Sequence, residues 1–335
     1  MRYCLTTIGV LLACASTIWA TPPQADGPTN NSVLLPTRPA DEWVKGPNNI
    51  REPHDEWSIY GGVLLVQPVF DGNPAFLVNS AGITRQVDFS HHLNVAPDIW
   101  LSYVSERGWG VRGHWFQFDH SATTDYVAAP GETIVAMSPV GLGRTPLDGG
   151  VSAFSNLAVN VIDIQLTCNF GDAKWSHLLG IGGRYTHMSQ DYHAVVANAG
   201  NYIEQSSSHN FNGAGVSLAI ETKRRIGETG FAIYGQFDGA IVFGRTREAD
   251  TAFSNGTPLQ FEHSRTRVLP TAELEAGIEY EKNVGRAKAF LQAGFAGQVW
   301  WAGGNASNLN GIGFSTASSS NFGFVGLAVR AGVRY

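Results

Sequence analysis

"TAELEAGIEYEKN", residues 271–283, sets Glu273, Glu275, Glu279 and Glu281 at alternate positions, with Gly277 completing the odd-numbered series. The even positions from 272 to 280 are all apolar: Ala272, Leu274, Ala276, Ile278 and Tyr280. A helix, turning about 100° per residue, would scatter both sets around its surface; a strand puts them on opposite faces. The segment therefore reads as a strand, greasy on one side and acidic on the other.

The same two-faced pattern recurs on both sides of this stretch. "WSIYGGVLLVQ" opens the series at Trp57, and a second strand near 92–104 sets Val95, Pro97, Ile99 and Leu101 against Asn94, Ala96, Asp98 and Ser102. In "WGVRGHWFQF", Arg112 and His114 oppose Val111 and Trp115; in the next strand Ile162, Ile164, Leu166, Cys168 and Phe170 oppose Asp163, Gln165, Thr167 and Asn169. Upstream of these, Leu157, Val159 and Val161 alternate in the opposite phase, which predicts a β-bulge near Val161. Six further strands follow: 175–191, "GAGVSLAIETK", the segment after "GETG", the opening stretch, the segment after "NVGR", and "FGFVGLAVRAGVRY".

Connection lengths give the topology. "SERG", "GDAK", "GETG" and "NVGR" are short, whereas 69–91, 121–152, 192–207, 247–262 and 302–320 are long, and the two kinds alternate strictly. Short turns at one end and long loops at the other are the pattern of an up-and-down barrel in an outer membrane. Lipid outside accepts the apolar faces, a closed interior accepts the charged ones, and closure leaves no strand edge unpaired in hydrocarbon. The expected fold is all-β: a transmembrane antiparallel β-barrel of about ten strands (8–12) over residues 57–335. A soluble β-sandwich also buries one face per strand, but nothing in it requires long loops at one end.

Composition agrees with this reading: 15% charged residues, 11% aromatic and 39 glycines in 335 residues. Arg2 and the apolar "CLTTIGVLLACAS" read as a signal peptide cut after Ala20, with lipidation at Cys14 of "LLAC" as the alternative. Residues 21–56, polar and proline-rich, form a periplasmic lead-in. Cys168 is the one thiol left after the leader, so no internal disulfide is expected. No basic block points to nucleic acid. Tyr335 falls on the apolar face of the last strand, where barrel-assembly machinery would engage it.

The stretches "DIWLSYVSERGWGVRGHWFQF", "VIDIQLTCNFGDAKWSHLLGIGGRYTHMSQDY", "LEAGIEYEK" and "GLAVRAGVRY" resemble the pore-forming outer-membrane family typified by the Legionella major outer-membrane protein, and planctomycete β-barrel porins are similar. The resemblance implies an outer-membrane barrel that passes ions or small solutes. It transfers no catalytic, cofactor or metal residue.

The residues assigned to the lumen are Glu273, Glu275, Glu279 and Glu281, with Arg112, Arg184, Lys223, Lys288, Arg330 and Arg334 as basic partners. Either these charges pair and fill the interior, or they form a pore wall that selects ions. His91, His92, Asp119 and His120 cluster at predicted loop boundaries, but no second acid completes a catalytic set, and adjacent histidines on a strand point apart. "GIGGRY" and "GLGRTP" precede no helix and are not phosphate loops. Trp57, Trp109, Trp115, Trp300 and Trp301 are expected in an interfacial girdle. No enzyme activity and no cofactor are expected. The expected function is a passive outer-membrane diffusion pore; the alternative is a non-conducting structural or adhesive barrel acting through its outer loops.

Overall fold

A strand with one lipid-compatible face leaves its backbone groups unpaired unless a neighbour flanks it on each side, so a run of such strands must close on itself. The computed structural model, which describes residues 55–137, 148–198, 200–254, 257–307 and 320–335, contains that closed sheet. Its strands are β1 (Glu56–Phe70), β2 (Pro74–Ser80), β3 (Ile83–Asp88), β4 (Asn94–Val104), β5 (Trp109–Val127), β6 (Glu132–Ala136), β7 (Gly150–Gly171), β8 (Trp175–Ala197), β9 (Tyr202–Arg225), β10 (Phe231–Ser254), β11 (Thr257–Val284), β12 (Ala287–Trp300) and β13 (Phe322–Arg334). Ten of them form an antiparallel barrel in the order β1-β13-β12-β11-β10-β9-β8-β7-β5-β4. The seam closes where β1 pairs with both β4 and β13, Ser58 lying opposite Ser102 on one side and Arg334 on the other. The expected signal peptide, 1–20, and nearly all of the expected lead-in, 21–56, lie outside the described residues.

The short turns are as tight as their sequences require. Gly108 (φ 81°) ends "SERG" and Gly285 (φ 64°) sits in "NVGR", both in the left-handed region that a Cβ disfavours.

The long connections differ from the expectation. The strands simply continue: β8 runs to Ala197 and β9 starts at Tyr202, so 192–207 is mostly ladder around a turn in which Asn198 Oδ1 accepts from Asn201 N at 3.0 Å. β10 and β11 likewise extend through most of 247–262. The connections 69–91 and 121–152 carry β2, β3 and β6, which form a separate sheet in the order β3-β2-β6 and leave the barrel count at ten. Residues 308–319 of the last connection lie outside the described residues.

The expected bulge near Val161 is absent: β7 keeps continuous register with β5 (Phe116 opposite Val161) and with β8 (Val161 opposite Thr186). The phase change has another cause. Both faces of the wall invert polarity at one level. Below it, the outward row Trp115, Ile162, Tyr185, Ala214, Phe243 and Val268 is largely apolar. The next outward row, Gln117, Asn160, His187, Asn212, Arg245 and Thr266, is polar throughout. Inside, the order is opposite: His114 gives way to Phe116 and Phe118, Asp163 to Val161, Val159 and Leu157, and Arg184 to Met188. The strands leave the lipid there and continue around an interior that is apolar along β5, β7 and β8 and carries the Arg265–Glu248 pair on β11 and β10. Leu157, Val159 and Val161 belong to that core.

The same inversion moves Trp300. Expected in the interfacial girdle, it is fully buried inside, its ring 5.7 Å from that of Phe322. Trp57, Trp109 and Trp301 are exposed on the outer wall, and Trp115 is half-buried there. Trp57 packs beside Tyr103 with ring centres 4.9 Å apart. Phe231 and Tyr280 pack the same way, at 4.9 Å, beside the turn that joins β9 to β10.

Candidate functional site: the lumen

Alternation aims every second side chain inward, and ten strands enclose a space that such side chains can fill. Three layers fill it. Nearest the first residues of β1 and the last of β13 is a ring of charges: Lys223 Nζ lies 2.9 Å from Glu279, Arg334 reaches Glu279 at 3.0 Å and Glu281 at 2.5 Å, and Lys288 reaches Glu281 at 3.0 Å. The Arg334 guanidinium also lies 4.0 Å from the Phe290 ring centre.

Above it lies a denser girdle. Arg184 donates two hydrogen bonds to Asp163 (2.8 and 2.9 Å) and one to Glu273 (2.7 Å). Arg330 pairs with both Asp98 and Glu275, and Tyr234 donates to Glu275 at 2.5 Å. Arg112 donates to Gln165 (2.7 Å), Asp238 (3.3 Å) and Glu221 (3.4 Å). His114 stands between two carboxylates, Nε2 2.7 Å from Asp98 and Nδ1 3.1 Å from Asp163. A neutral imidazole donates through one nitrogen, so the imidazolium is the form that satisfies both. The Trp100 ring stacks on His114 at 3.8 Å and receives the Arg112 guanidinium at 4.4 Å.

The third layer is mostly apolar, although Thr246 lies opposite Phe211 and Arg265, next in the same row, pairs with Glu248 at 3.0 Å. Leu64, Phe116, Phe118, Met188, Phe211, Val242, Leu269, Trp300, Phe322 and Phe324 belong to one buried cluster across the lumen. Over it, β2 and β6 pack Phe76, Val78, Ile134 and Ala136 against the inward upper ends of β5, β7, β8 and β9. Tyr192 ties this cap to the wall, donating to Ala75 O (2.8 Å) and accepting from Met137 N (2.9 Å).

All four opening glutamates project into the lumen, and all six basic candidates sit in ion pairs with carboxylates. Alternation puts Asp98 and Asp163 on inward faces without suggesting their partners, and Glu221 and Asp238 join them there. Arg112 and Glu221 are 109 residues apart, and nothing local in the sequence marks such a pair. His91 is buried with Asn73 Nδ2 2.8 Å from its Nε2, and His92 N lies 3.4 Å from His120 Nε2. Among the described residues no three His, Cys, Asp or Glu side chains converge on a metal position. Cys168 is unpaired and half-buried on the outer face.

A closed ten-strand wall, an apolar belt facing outward and charges facing inward define an outer-membrane β-barrel protein. Over residues 50–334 the chain matches the family described as Legionella pneumophila major outer membrane protein precursor, and it belongs to that family. Its location is the bacterial outer membrane. No curated protein matches it. Among solved structures it is similar to the outer membrane protease OmpT from Escherichia coli (11% identity, 85% of this chain and 97% of that chain, TM-score 0.41). It is also similar to the P. putida toluene transporter TodX (10% identity, 84% and 89%, TM-score 0.23) and to a Pseudomonas aeruginosa FadL homologue (6% identity, 84% and 90%, TM-score 0.28).

Proposed function

We propose that the protein is a closed, non-enzymatic outer-membrane barrel that presents its tall, water-facing upper half at the cell surface. The observation that carries this reading is the apolar cluster seated directly above the ion-pair girdle. Passage of an ion along the axis would require breaking buried charge pairs and then passing the large side chains of the apolar cluster. A dehydrated ion in apolar surroundings costs many kcal/mol. The passive-pore reading has the same wall but needs the girdle and the core to part.

Solute flux into liposomes tests the proposal. Proteoliposomes should swell in sugar or salt gradients no faster than protein-free ones. Fast swelling with native protein would favour the diffusion pore.

The C-terminal strand is assigned the contact with barrel-assembly machinery. Tyr335 lies at the seam, exchanging backbone hydrogen bonds with Trp57 at 2.8 and 2.9 Å. Deleting Tyr335 should slow assembly in cells while leaving refolding in detergent intact; equal assembly rates would remove this assignment.

A further inference from the structure

We propose that the turn joining β7 to β8, with the end of β9 beside it, binds the headgroup of an anionic glycerophospholipid. The lipid belongs to the periplasmic leaflet, which the short turns of such a barrel meet. The first observation is charge. The basic side chains of the lumen are paired with carboxylates. Lys174, Arg224 and Arg225 are exposed instead, and among the described residues none of them makes an ion pair. The backbone gathers them: Arg225 N donates to Lys174 O at 2.8 Å, and Arg224 stands opposite Trp175 in the β8–β9 ladder. Asp172 is the acid of this turn, and its Oδ1 accepts from the amides of Lys174 and Trp175 at 2.7 and 2.8 Å. Glu228, on the turn joining β9 to β10, is the next acid along this edge. Lys174, Arg224 and Arg225 against Asp172 and Glu228 leave the edge positive.

The second observation is an aromatic ledge beside these charges. Phe170, Gly171, Asp172, Trp175 and His177 line one open depression on the outer wall. Its rings are stacked: His177 lies 5.2 Å from Phe170 and 5.9 Å from Trp175. The Arg224 guanidinium sits over the Trp175 ring at 5.2 Å. A guanidinium held on an indole face keeps its edge donors free for an oxyanion. Trp175 and Arg224 share the outward side of their strands with Leu179 and Ile220, both exposed in the apolar belt. Acyl chains on that belt bring a phosphodiester to the cations at its lower edge. Arg224 donates to the phosphate oxygens, and Lys174 and Arg225 supply further positive charge. Because the stacked cation faces the bilayer side of the wall, the ledge fits a lipid better than a periplasmic polymer. The excess of cations selects an anionic headgroup over a zwitterionic one.

Lipid titration into the refolded full-length barrel in detergent, with bound lipid counted by native mass spectrometry, provides the test. Phosphatidylglycerol is compared with phosphatidylethanolamine and phosphatidylcholine, and mobility on unheated gels shows that each variant is folded. Native protein should bind phosphatidylglycerol most tightly. Lys174→Gln with Arg224→Gln should weaken that binding roughly 30-fold. Trp175→Leu keeps the charges but removes the ring under Arg224, and should weaken it several-fold. Lys282→Gln with Arg286→Gln removes as much charge from the turn joining β11 to β12, away from the ledge, and should leave the affinity unchanged. Equal affinity for the three lipids would overturn the proposal, as would equal losses in the two double variants or none in Trp175→Leu. So would capture by peptidoglycan sacculi that the first double variant loses while its lipid affinity stays native. Because the outer wall alone is read, the result stands apart from whether the lumen conducts.

Discussion

Arg112 on β5 donates to Asp238 on β10 at 3.3 Å, although three strands, β7, β8 and β9, separate theirs in the wall. In a ring of ten that contact is one strand short of a full diameter. Together with Arg184 to Glu273 at 2.7 Å, across two intervening strands, it makes the girdle a set of struts spanning the lumen.

Struts of this kind are sensitive to losing one end. Arg184→Met should destabilise the barrel by about 3–5 kcal/mol, because Asp163 and Glu273 lose their buried partner. Adding Glu273→Gln should restore part of the loss, since one orphaned charge is then neutral. Denaturant unfolding of the refolded single and double variants checks this. A double variant less stable than Arg184→Met would contradict the pairing.

The apolar seal makes its own demand. Trp300 is fully buried against Phe322, so Trp300→Ala should cost about 3–5 kcal/mol. A tryptophan in the interfacial girdle, the position its sequence first suggests, would cost much less. The same unfolding assay separates the two.

The inverted outer face predicts where charge is tolerated. Leu218 is 57% exposed to lipid and Val127 is 78% exposed at the upper end of β5. Leu218→Arg should cost about 2–4 kcal/mol at mid-bilayer depth, whereas Val127→Arg, above the polar row, should cost close to nothing. The assembled fraction on unheated gels reads both. Equal losses would place the lipid boundary wrongly.

The cap should loosen in acid. Burial first, then the nearby His120 and His92, hold the His91 pKa down to about 4, from 6.5. The folded value lies below the unfolded one, so the unfolded segment binds the proton first. The contribution of His91 is therefore complete above about 6.5 and lost as pH falls through about 4. Asn73 and Phe70 are its other neighbours. Hydrogen exchange of the Phe89 amide, bonded to Asn73 O at 2.9 Å and corrected for intrinsic pH dependence, should quicken across that window. His91→Phe should flatten the response; an unchanged profile would assign it to another group.

These expectations separate what was legible in the sequence from what was not. The period of two in 271–283 fixes both faces of β11, because alternation is a local property. Short turns were equally legible, since glycine and polar residues at tight bends have local causes. Leu157, Val159 and Val161 mislead because the rule changes midway along β7: apolar means outward in lipid and inward above it. Sequence carries no marker of that height. Trp300 fails for the same reason. The struts were invisible because Arg112 and Asp238 lie 126 residues apart, and only closure of the wall brings them together.

Single-channel recording in planar bilayers tests the central claim most directly. Native protein in concentrated potassium chloride should show no stable conductance. Arg112→Ser combined with Phe118→Ser and Phe324→Ser, which removes a strut and two rings of the seal, should produce discrete openings. Steady ohmic conductance from the native barrel would contradict the account, because the girdle and the apolar layer above it could not both be closed.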